Sequence, residues 1–188
     1  MILALKDRDS IWVAVSTKST YTGVNMEDVI LEENLKMWRP AGHENAILAV
    51  EGASMTAEVL RYADLAAPNE PLTHATLIQD LLPSIKERLH ERNALNGERM
   101  WDQMLIAKKD KAFVVTCNFS LLEVENVAAV GSARSEDLAY GAARLRCDLP
   151  PVERITEIFR TLERAEKYRH FPLVIMNTMS DERIVIDK

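Results

Sequence analysis

The sequence contains little cysteine and no cluster of metal-binding residues. Its two cysteines, Cys117 and Cys147, stand alone in their segments, which excludes a disulfide framework and leaves no thiolate metal site. Cysteine is among the most buried residue types, so we expect two reduced, mostly buried thiols. The four histidines are scattered without the spacing of metal ligands, and we therefore expect no metal site.

The chain also lacks an excess of positive charge and any nucleotide-binding motif. Lysine and arginine total 23 against 29 aspartates and glutamates, so the formal net charge is −6 and no basic field is available to attract nucleic acid. Neither a GxGxxG loop nor a Walker loop occurs. We expect no nucleic acid partner and no cofactor.

Long hydrophobic runs are missing as well. No stretch approaches the roughly 18 apolar residues that a membrane span requires, and the first residues lack the features of a secretory signal. We therefore expect a cytoplasmic protein without membrane contact. The composition, 47% hydrophobic and 28% charged, indicates a globular protein with a sizeable core. No linker or repeat divides residues 1–188, and we predict one domain.

Short strands that are apolar on both faces are abundant. The opening stretch MILALKDRDSIWVAVST holds two such runs around the polar turn DRDS and predicts a strand hairpin. LKMW and AILAVEG predict a second hairpin, preceded by a short edge strand over Val29–Leu31. A third set of strands is predicted in DQMLIAKKD, KAFVVTCNF, LLEVEN and VAAVG, and FPLVIMNT with RIVIDK predicts a closing hairpin.

Two pairs of helices separate these blocks of strands. The first helix is predicted to begin at Ser54 or Thr56, and the second is a long amphipathic helix that Pro83 kinks or breaks, because proline removes a backbone hydrogen bond. The third helix, in SARSEDLAYGAARL, is predicted to bury the face that carries Leu138, Ala142 and Leu145.

This order of elements favours stacked antiparallel sheets over a parallel sheet with crossover helices. Helices grouped in pairs between blocks of sequential strands belong on the outside of a layered structure. Strands that are apolar on both faces need cover on both faces, from a helix layer on one side and a second sheet on the other. We therefore predict an α+β protein, a four-layer α/β/β/α sandwich of two antiparallel sheets.

Taken together, these segments resemble the N-terminal-nucleophile (Ntn) hydrolases of the proteasome and HslV type. The resemblance rests on the opening hairpin, on LKMWRPAGHENAILAVEGASMTAEVLRYA, and on DQMLIAKKDKAFVVTCNFSLLEVENVAAVGSARSEDLAYGAARL. It spans nearly the whole chain in order and spacing. It implies the α/β/β/α fold and a pocket at the chain terminus.

The resemblance also implies a demanding chemistry. In that family an N-terminal threonine supplies the nucleophile and its own α-amine, which titrates near pH ~8, serves as the base. A lysine and an aspartate lie beside it, and a glycine loop holds the oxyanion. Here Met1 stands at or beside the place of the nucleophile, and a thioether has no proton to lose.

The other implied positions are only partly matched. The place of the aspartate falls on Ser16, and that of the lysine falls near Asn34, with Lys36 two residues further on, so both charged partners are expected to be missing. Gly52 matches the glycine loop, and the pair formed by Gly131 and Ser132 matches a turn beside the pocket. These matches have an ordinary explanation in backbone geometry.

Three functions remain open at this stage. The leading hypothesis is a degenerate, non-catalytic proteasome-like subunit, a pseudoenzyme that acts as a homo-oligomer or through a partner protein. The first alternative is an active amide hydrolase whose nucleophile lies elsewhere, at Cys117, Ser16 or Thr17. The second is a module that binds a peptide or small molecule in a vestigial pocket lined by Met1, Ser16, Asn34, Gly52 and Ser132.

Overall fold

The computed structural model describes residues 1–17, 36–43, 45–51, 54–65, 72–166 and 169–187. The strands are β1 Ile2–Asp7, β2 Ser10–Ser16, β3 Met37–Trp38, β4 Ala46–Glu51, β5 Leu95–Asn96, β6 Arg99–Met100, β7 Gln103–Lys108, β8 Lys111–Val115, β9 Leu121–Glu123, β10 Val127–Val130, β11 Leu173–Asn177 and β12 Ser180–Ile186. The helices are α1 Ser54–Arg61, α2 His74–Thr76, α3 Leu82–Glu91, α4 Ala133–Leu145 and α5 Pro151–Glu166.

The opening hairpin forms as predicted. Strands β1 and β2 pair antiparallel from Ile2 opposite Val15 to Asp7 opposite Ser10, and Arg8 takes a φ of 51° in the tight turn. Successive side chains of a strand point to opposite faces. In β1 these faces enter different cores, which is why the run is apolar throughout.

Within the described ranges, two five-stranded antiparallel sheets form the centre of the structure. The first has the strand order β10-β1-β2-β11-β12 and the second the order β3-β4-β7-β8-β9. Strands β5 and β6 form a small separate hairpin that the sequence analysis missed. Every strand pair is antiparallel, and most are hairpins of neighbouring strands.

Three hydrophobic clusters define four layers. One cluster lies between the two sheets and includes Ile2, Val13, Ile47 and Leu105. A second joins the outer face of the second sheet to α1 and α3, and a third joins the outer face of the first sheet to α4 and α5. The predicted α/β/β/α sandwich is therefore confirmed.

The amphipathic helix around Pro83 is interrupted, as predicted. A π-helical turn over Leu77–Leu81 joins α2 to α3, and the Leu82 N–H donates to the carbonyl of Leu77. Pro83, the next residue, has no N–H to donate. The π-helical turn therefore lies where the regular pattern of helical hydrogen bonds must lose one bond. The stripe still faces the core, because Leu77, Leu81, Ile85 and Leu89 are all buried.

Some local predictions were wrong. Leu145 is 75% exposed, because the buried stripe of α4 runs through Ser135, Ala139, Ala142 and Ala143, and Leu145 lies about 100° around the helix from its centre. Neither cysteine is buried: Cys117 is half-buried and Cys147 is exposed, and both are free thiols. The edge strand predicted over Val29–Leu31 lies outside the described residues.

Turns tie the two sheets together at one end. The Thr178 hydroxyl accepts the N–H of Ile11 at 3.0 Å and donates to the carbonyl of Lys109, which lies in the turn between β7 and β8. Arg39, just after β3, donates to the carbonyl of Asn177 at 2.7 Å. In the described part of the chain, no helix is long and apolar enough to cross a membrane.

Candidate functional site at the chain terminus

Met1 lies at the start of β1, against the end of β2. Its carbonyl accepts the N–H of Ser16 at 3.2 Å, which extends the hairpin ladder to the terminus. The side chain turns into the cluster shared with α4 and α5, and the whole residue is 7% exposed. A Cβ placed on Gly131 would lie 3.6 Å from the Met1 Cγ, so the turn before α4 packs directly on this residue.

The α-amine of Met1 takes part in a buried group of charges. It lies 2.7 Å from Oε2 of Glu51, the last residue of β4, and Nζ of Lys36 lies 3.2 Å from the same oxygen. Burial lowers the pKa of the Met1 amine below its usual value, against the opposing effect of the Glu51 carboxylate. One carboxylate is thus shared between two cations across the two sheets.

Glu51 is ionised because of its two partners. Burial acts to raise the pKa of this carboxyl, but the Met1 ammonium and the Lys36 ammonium outweigh burial and hold the pKa below its usual range. The carboxylate is therefore charged at neutral pH. Among the described residues, the Glu51 carboxylate contacts both the Met1 amine and the Lys36 ammonium.

A second polar network lies near the terminus. The hydroxyl groups of Ser132, the N-cap of α4, and Ser135 are 2.7 Å apart. Ser135 donates to Oε1 of Glu166 at 2.6 Å, and Oε2 of Glu166 lies 3.1 Å from Nε2 of His170. This chain of contacts joins α4, α5 and the segment that leads into β11.

The end of β2 is fastened to the same segment. The Ser16 hydroxyl donates to the carbonyl of His170 at 2.7 Å, and the Thr17 hydroxyl donates to the carbonyl of Pro172 at 3.0 Å. Both hydroxyl groups are therefore used in holding backbone together. A role as nucleophile would require each to leave its acceptor.

The structure brings together three of the five pocket residues that the sequence analysis named. Ser16 bonds to Met1, and Ser132 follows the glycine that packs on Met1. Asn34 and Gly52 lie outside the described residues. Cys117, the alternative nucleophile, lies beyond β8 in the second sheet, where its carbonyl accepts the N–H of Met100.

The lysine that the resemblance implies falls near Asn34, which lies outside the described residues. Lys36, two residues further on, lies in the ion-paired group at the terminus. Glu51 was missed altogether, although a lone carboxylate at the end of the apolar run AILAVE was a signal for it. Ser135, Glu166 and His170 were also missed, because nothing in the sequence relates positions so far apart to Met1.

Comparison with solved structures identifies the architecture. BPH from Thiobacillus denitrificans superposes with a TM-score of 0.75, 18% identity, and coverage of 96% of this chain and 99% of that one. This chain has the fold of the proteasome-type Ntn hydrolases. No protein-family model matches it, and no curated protein sequence matches it.

Two further relatives of this fold are similar over their lengths. HslV from Trypanosoma brucei gives a TM-score of 0.63 at 13% identity, covering 94% of this chain and 97% of that one. Anbu, described as an ancestral β-subunit, from Yersinia bercovieri gives 0.65 at 12% identity, covering 100% and 87%. A second structure of the T. denitrificans protein is a complex with epoxomicin. The similarity confirms the fold that the resemblance implied.

The polar groups of this site are ion-paired charges and serine hydroxyl groups. Among the described residues, no group of three or more histidine, cysteine, aspartate or glutamate side chains is arranged to hold a metal ion. The amine of Met1 is held by a carboxylate, and a hydroxyl at Ser132 lies close to the terminus. The arrangement holds the chain's own terminus through Glu51 and links the hydroxyl of Ser132, through Ser135, to the Glu166 carboxylate.

Proposed function

We propose that this chain is a proteasome-like subunit that does not cleave amide bonds through its first residue and acts by self-assembly or by binding a partner protein. The observation that carries the proposal is the position of Met1, whose side chain packs in the core while its amine is held by Glu51. Within this proposal the protein is a single-domain, cytoplasmic subunit.

The chemical reason lies in what the first residue must supply. Nucleophilic attack from a terminal residue needs a side chain that can give up a proton and an amine that can accept it. The Met1 thioether has no such proton. Its amine is already engaged 2.7 Å from the Glu51 carboxylate, which Lys36 also contacts. The charges at this site therefore stabilise a terminus rather than activate one.

A specific observation also favours a second candidate, an amide hydrolase with an unusual nucleophile. Ser132 is exposed, follows the glycine that packs on Met1, and shares a hydrogen bond with Ser135, whose hydroxyl donates to the Glu166 carboxylate. A serine linked to a carboxylate through a second hydroxyl has a route for its proton. In this alternative Ser132 attacks the substrate and its proton passes through Ser135 toward Glu166.

Covalent labelling distinguishes the two candidates. The natively expressed protein is incubated with epoxomicin and, separately, with a fluorophosphonate probe, and its intact mass and N-terminal sequence are measured. We expect a Met1 terminus and no added mass, with Ser132→Ala behaving like the wild type. A mass addition that Ser132→Ala abolishes, or a new serine or threonine terminus, contradicts the proposal and supports the hydrolase.

The assembly half of the proposal has its own test. Sedimentation velocity over a wide range of protein concentration is expected to show a species larger than one chain. A strictly monomeric species throughout leaves only partner binding. A thermal-shift screen against peptides and metabolites addresses the ligand-binding alternative, because a ligand that binds only the folded state raises its stability by RT ln(1 + [L]/Kd).

A further inference from the structure

The first sheet ends in an edge strand that is longer than the other sheet edges. Among the described strands, β12 pairs only with β11 and spans seven residues, whereas the other edge strands of the two large sheets, β3, β9 and β10, span two, three and four. Proteins commonly keep edge strands short, because an open row of backbone N–H and C=O groups can pair with another chain. The described strands thus leave one long open edge, along β12.

The regular part of this edge lies at the C-terminal end of β12. The register with β11 shifts between Met176 and Asn177, and beyond this shift the pairing is regular from Arg183 to Ile186. An irregularity of this kind ends regular pairing at the edge where it lies. The stretch that another strand can join is therefore residues 183–187, which include Asp187 directly after the strand.

The apolar side chains of this stretch alternate between two faces. Ile184 and Ile186 lie opposite two buried residues of β11 and pack, half-buried, against the cluster shared with α4 and α5. Val185 lies opposite Val174, so its side chain points to the side of the second sheet, but it is 50% exposed. An apolar side chain at the middle of the open edge is therefore only half covered.

Two opposite charges lie at equal distances from Val185. Arg183 stands two residues before it and Asp187 two residues after it, so the alternation of the strand places all three on the same face. Both charged side chains are exposed, and neither has an ion-pair partner among the described residues. The edge is therefore complementary in charge to its own copy running in the opposite direction.

The charges also select a register. In an antiparallel pair related by a twofold axis at Val185, residues equally far before and after Val185 lie opposite each other. Val185 then meets its own copy, and Arg183 meets Asp187 at both ends of the pair. Of the twofold axes through residues 183–187, only this one joins opposite charges. An axis at Arg183 would place this arginine opposite itself, and an axis at Ile184 would place it opposite Val185.

We propose that β12 is a dimer edge: two copies of this chain join their first sheets antiparallel along residues 183–187, about a twofold axis at Val185. The partner is a second copy because the complementary edge is the same run reversed, as a twofold contact requires. Backbone hydrogen bonds give such a contact its affinity, and the side-chain pairs set its register. This inference rests on the self-assembly part of the proposed function and names the surface for it.

Charge reversal at the edge, followed by sedimentation velocity, tests the proposal. Arg183→Asp places two carboxylates opposite each other at both ends of the pair, and Asp187→Arg places two guanidinium groups there. Each variant is expected to associate about tenfold more weakly than the wild type at low salt, because like charges directly opposite each other destabilise a strand pair. The matched control is Arg92→Asp, which makes the same change of charge at an exposed arginine that caps α3 in the other helix layer.

Mixing the two variants gives the decisive measurement. When Arg183→Asp pairs with Asp187→Arg, both ends of the pair again hold opposite charges, and the same is true of the double variant with itself. The equimolar mixture and the double variant are therefore both expected to associate as strongly as the wild type. Recovery on mixing also shows that each single variant is folded, because a misfolded chain has no edge to offer to the other.

The outcomes separate this interface from self-assembly in general. Oligomers that persist unchanged in both single variants overturn the dimer edge and leave self-assembly to another surface. An equal loss of association in Arg92→Asp, or no recovery on mixing, also overturns it, because the effect then comes from net charge or from misfolding. A wild type that stays monomeric at every concentration removes the self-assembly part of the proposed function together with this inference.

Discussion

The shared carboxylate of Glu51 gives the sharpest prediction about stability. In Glu51→Gln the Met1 ammonium and the Lys36 ammonium keep their positions but lose the charge between them. Removing one member of a buried ion pair costs about 3 to 5 kcal/mol, because the remaining charge stays buried without compensation. Glu51 is 22% exposed and Lys36 13%, so partial solvation places the expected loss at the lower end, about 3 kcal/mol.

The free energy of unfolding of this variant is expected to depend on pH differently from that of the wild type. In the wild type the lowered pKa of Glu51 contributes stability that is present above its unfolded value of 4.5 and is lost as the pH falls through the folded pKa. Without Glu51, burial of the Met1 amine is opposed by less negative charge, and its folded pKa falls further below 8.0. Stability of Glu51→Gln is therefore expected to rise more steeply between neutral pH and about 8 than that of the wild type.

Urea unfolding followed by tryptophan fluorescence measures these differences as shifts in midpoint at constant slope. The matched control is Glu123→Gln, which breaks the exposed ion pair with Lys111 and is expected to cost far less than Glu51→Gln, because water screens exposed charges. Adding Lys36→Met to Glu51→Gln is expected to recover part of the loss. Equal losses in the two single variants, or no recovery in the double variant, refute the account of this charge group.

Three further predictions concern side chains outside this charge group. Thr178→Val leaves the Ile11 N–H and the Lys109 carbonyl without their partner at the joint between the sheets, and calorimetry should show a loss of about 3 kcal/mol; an unchanged midpoint contradicts this joint. Phe159→Ala removes a fully buried ring between α5 and the first sheet and should cost about 4 kcal/mol in urea unfolding, whereas a loss below about 2 would mean that the site collapses easily. Leu145→Gln alters an exposed side chain and should change stability by less than about 0.5 kcal/mol, so a larger loss would place this residue in an interface.

The layered fold could be predicted because its cause is local in the sequence. A run such as ILALK must be covered on both faces, and this need is visible without any knowledge of its neighbours in space. The pairs of helices between blocks of strands then favour a layered arrangement with the helices outside and the two sheets inside. The α4 face was predicted less well, because Ala139 and Ala143 carry a weaker apolar signal than Leu145, which is exposed.

The site at the terminus could be predicted only in part from the sequence. The sequence by itself determined that a thioether occupies position 1 and that no hydroxyl is available from that residue. Only the tertiary structure decided that Glu51 meets both the Met1 amine and Lys36, and that Glu166 and His170 lie close enough to interact electrostatically with that amine. The carboxylate that ends the run AILAVE marks Glu51 as unusual, but these groups come from strands and helices far apart in the chain. Only the packed sheets and helices set the distances between their charges, so no local pattern of residues could reveal which groups meet.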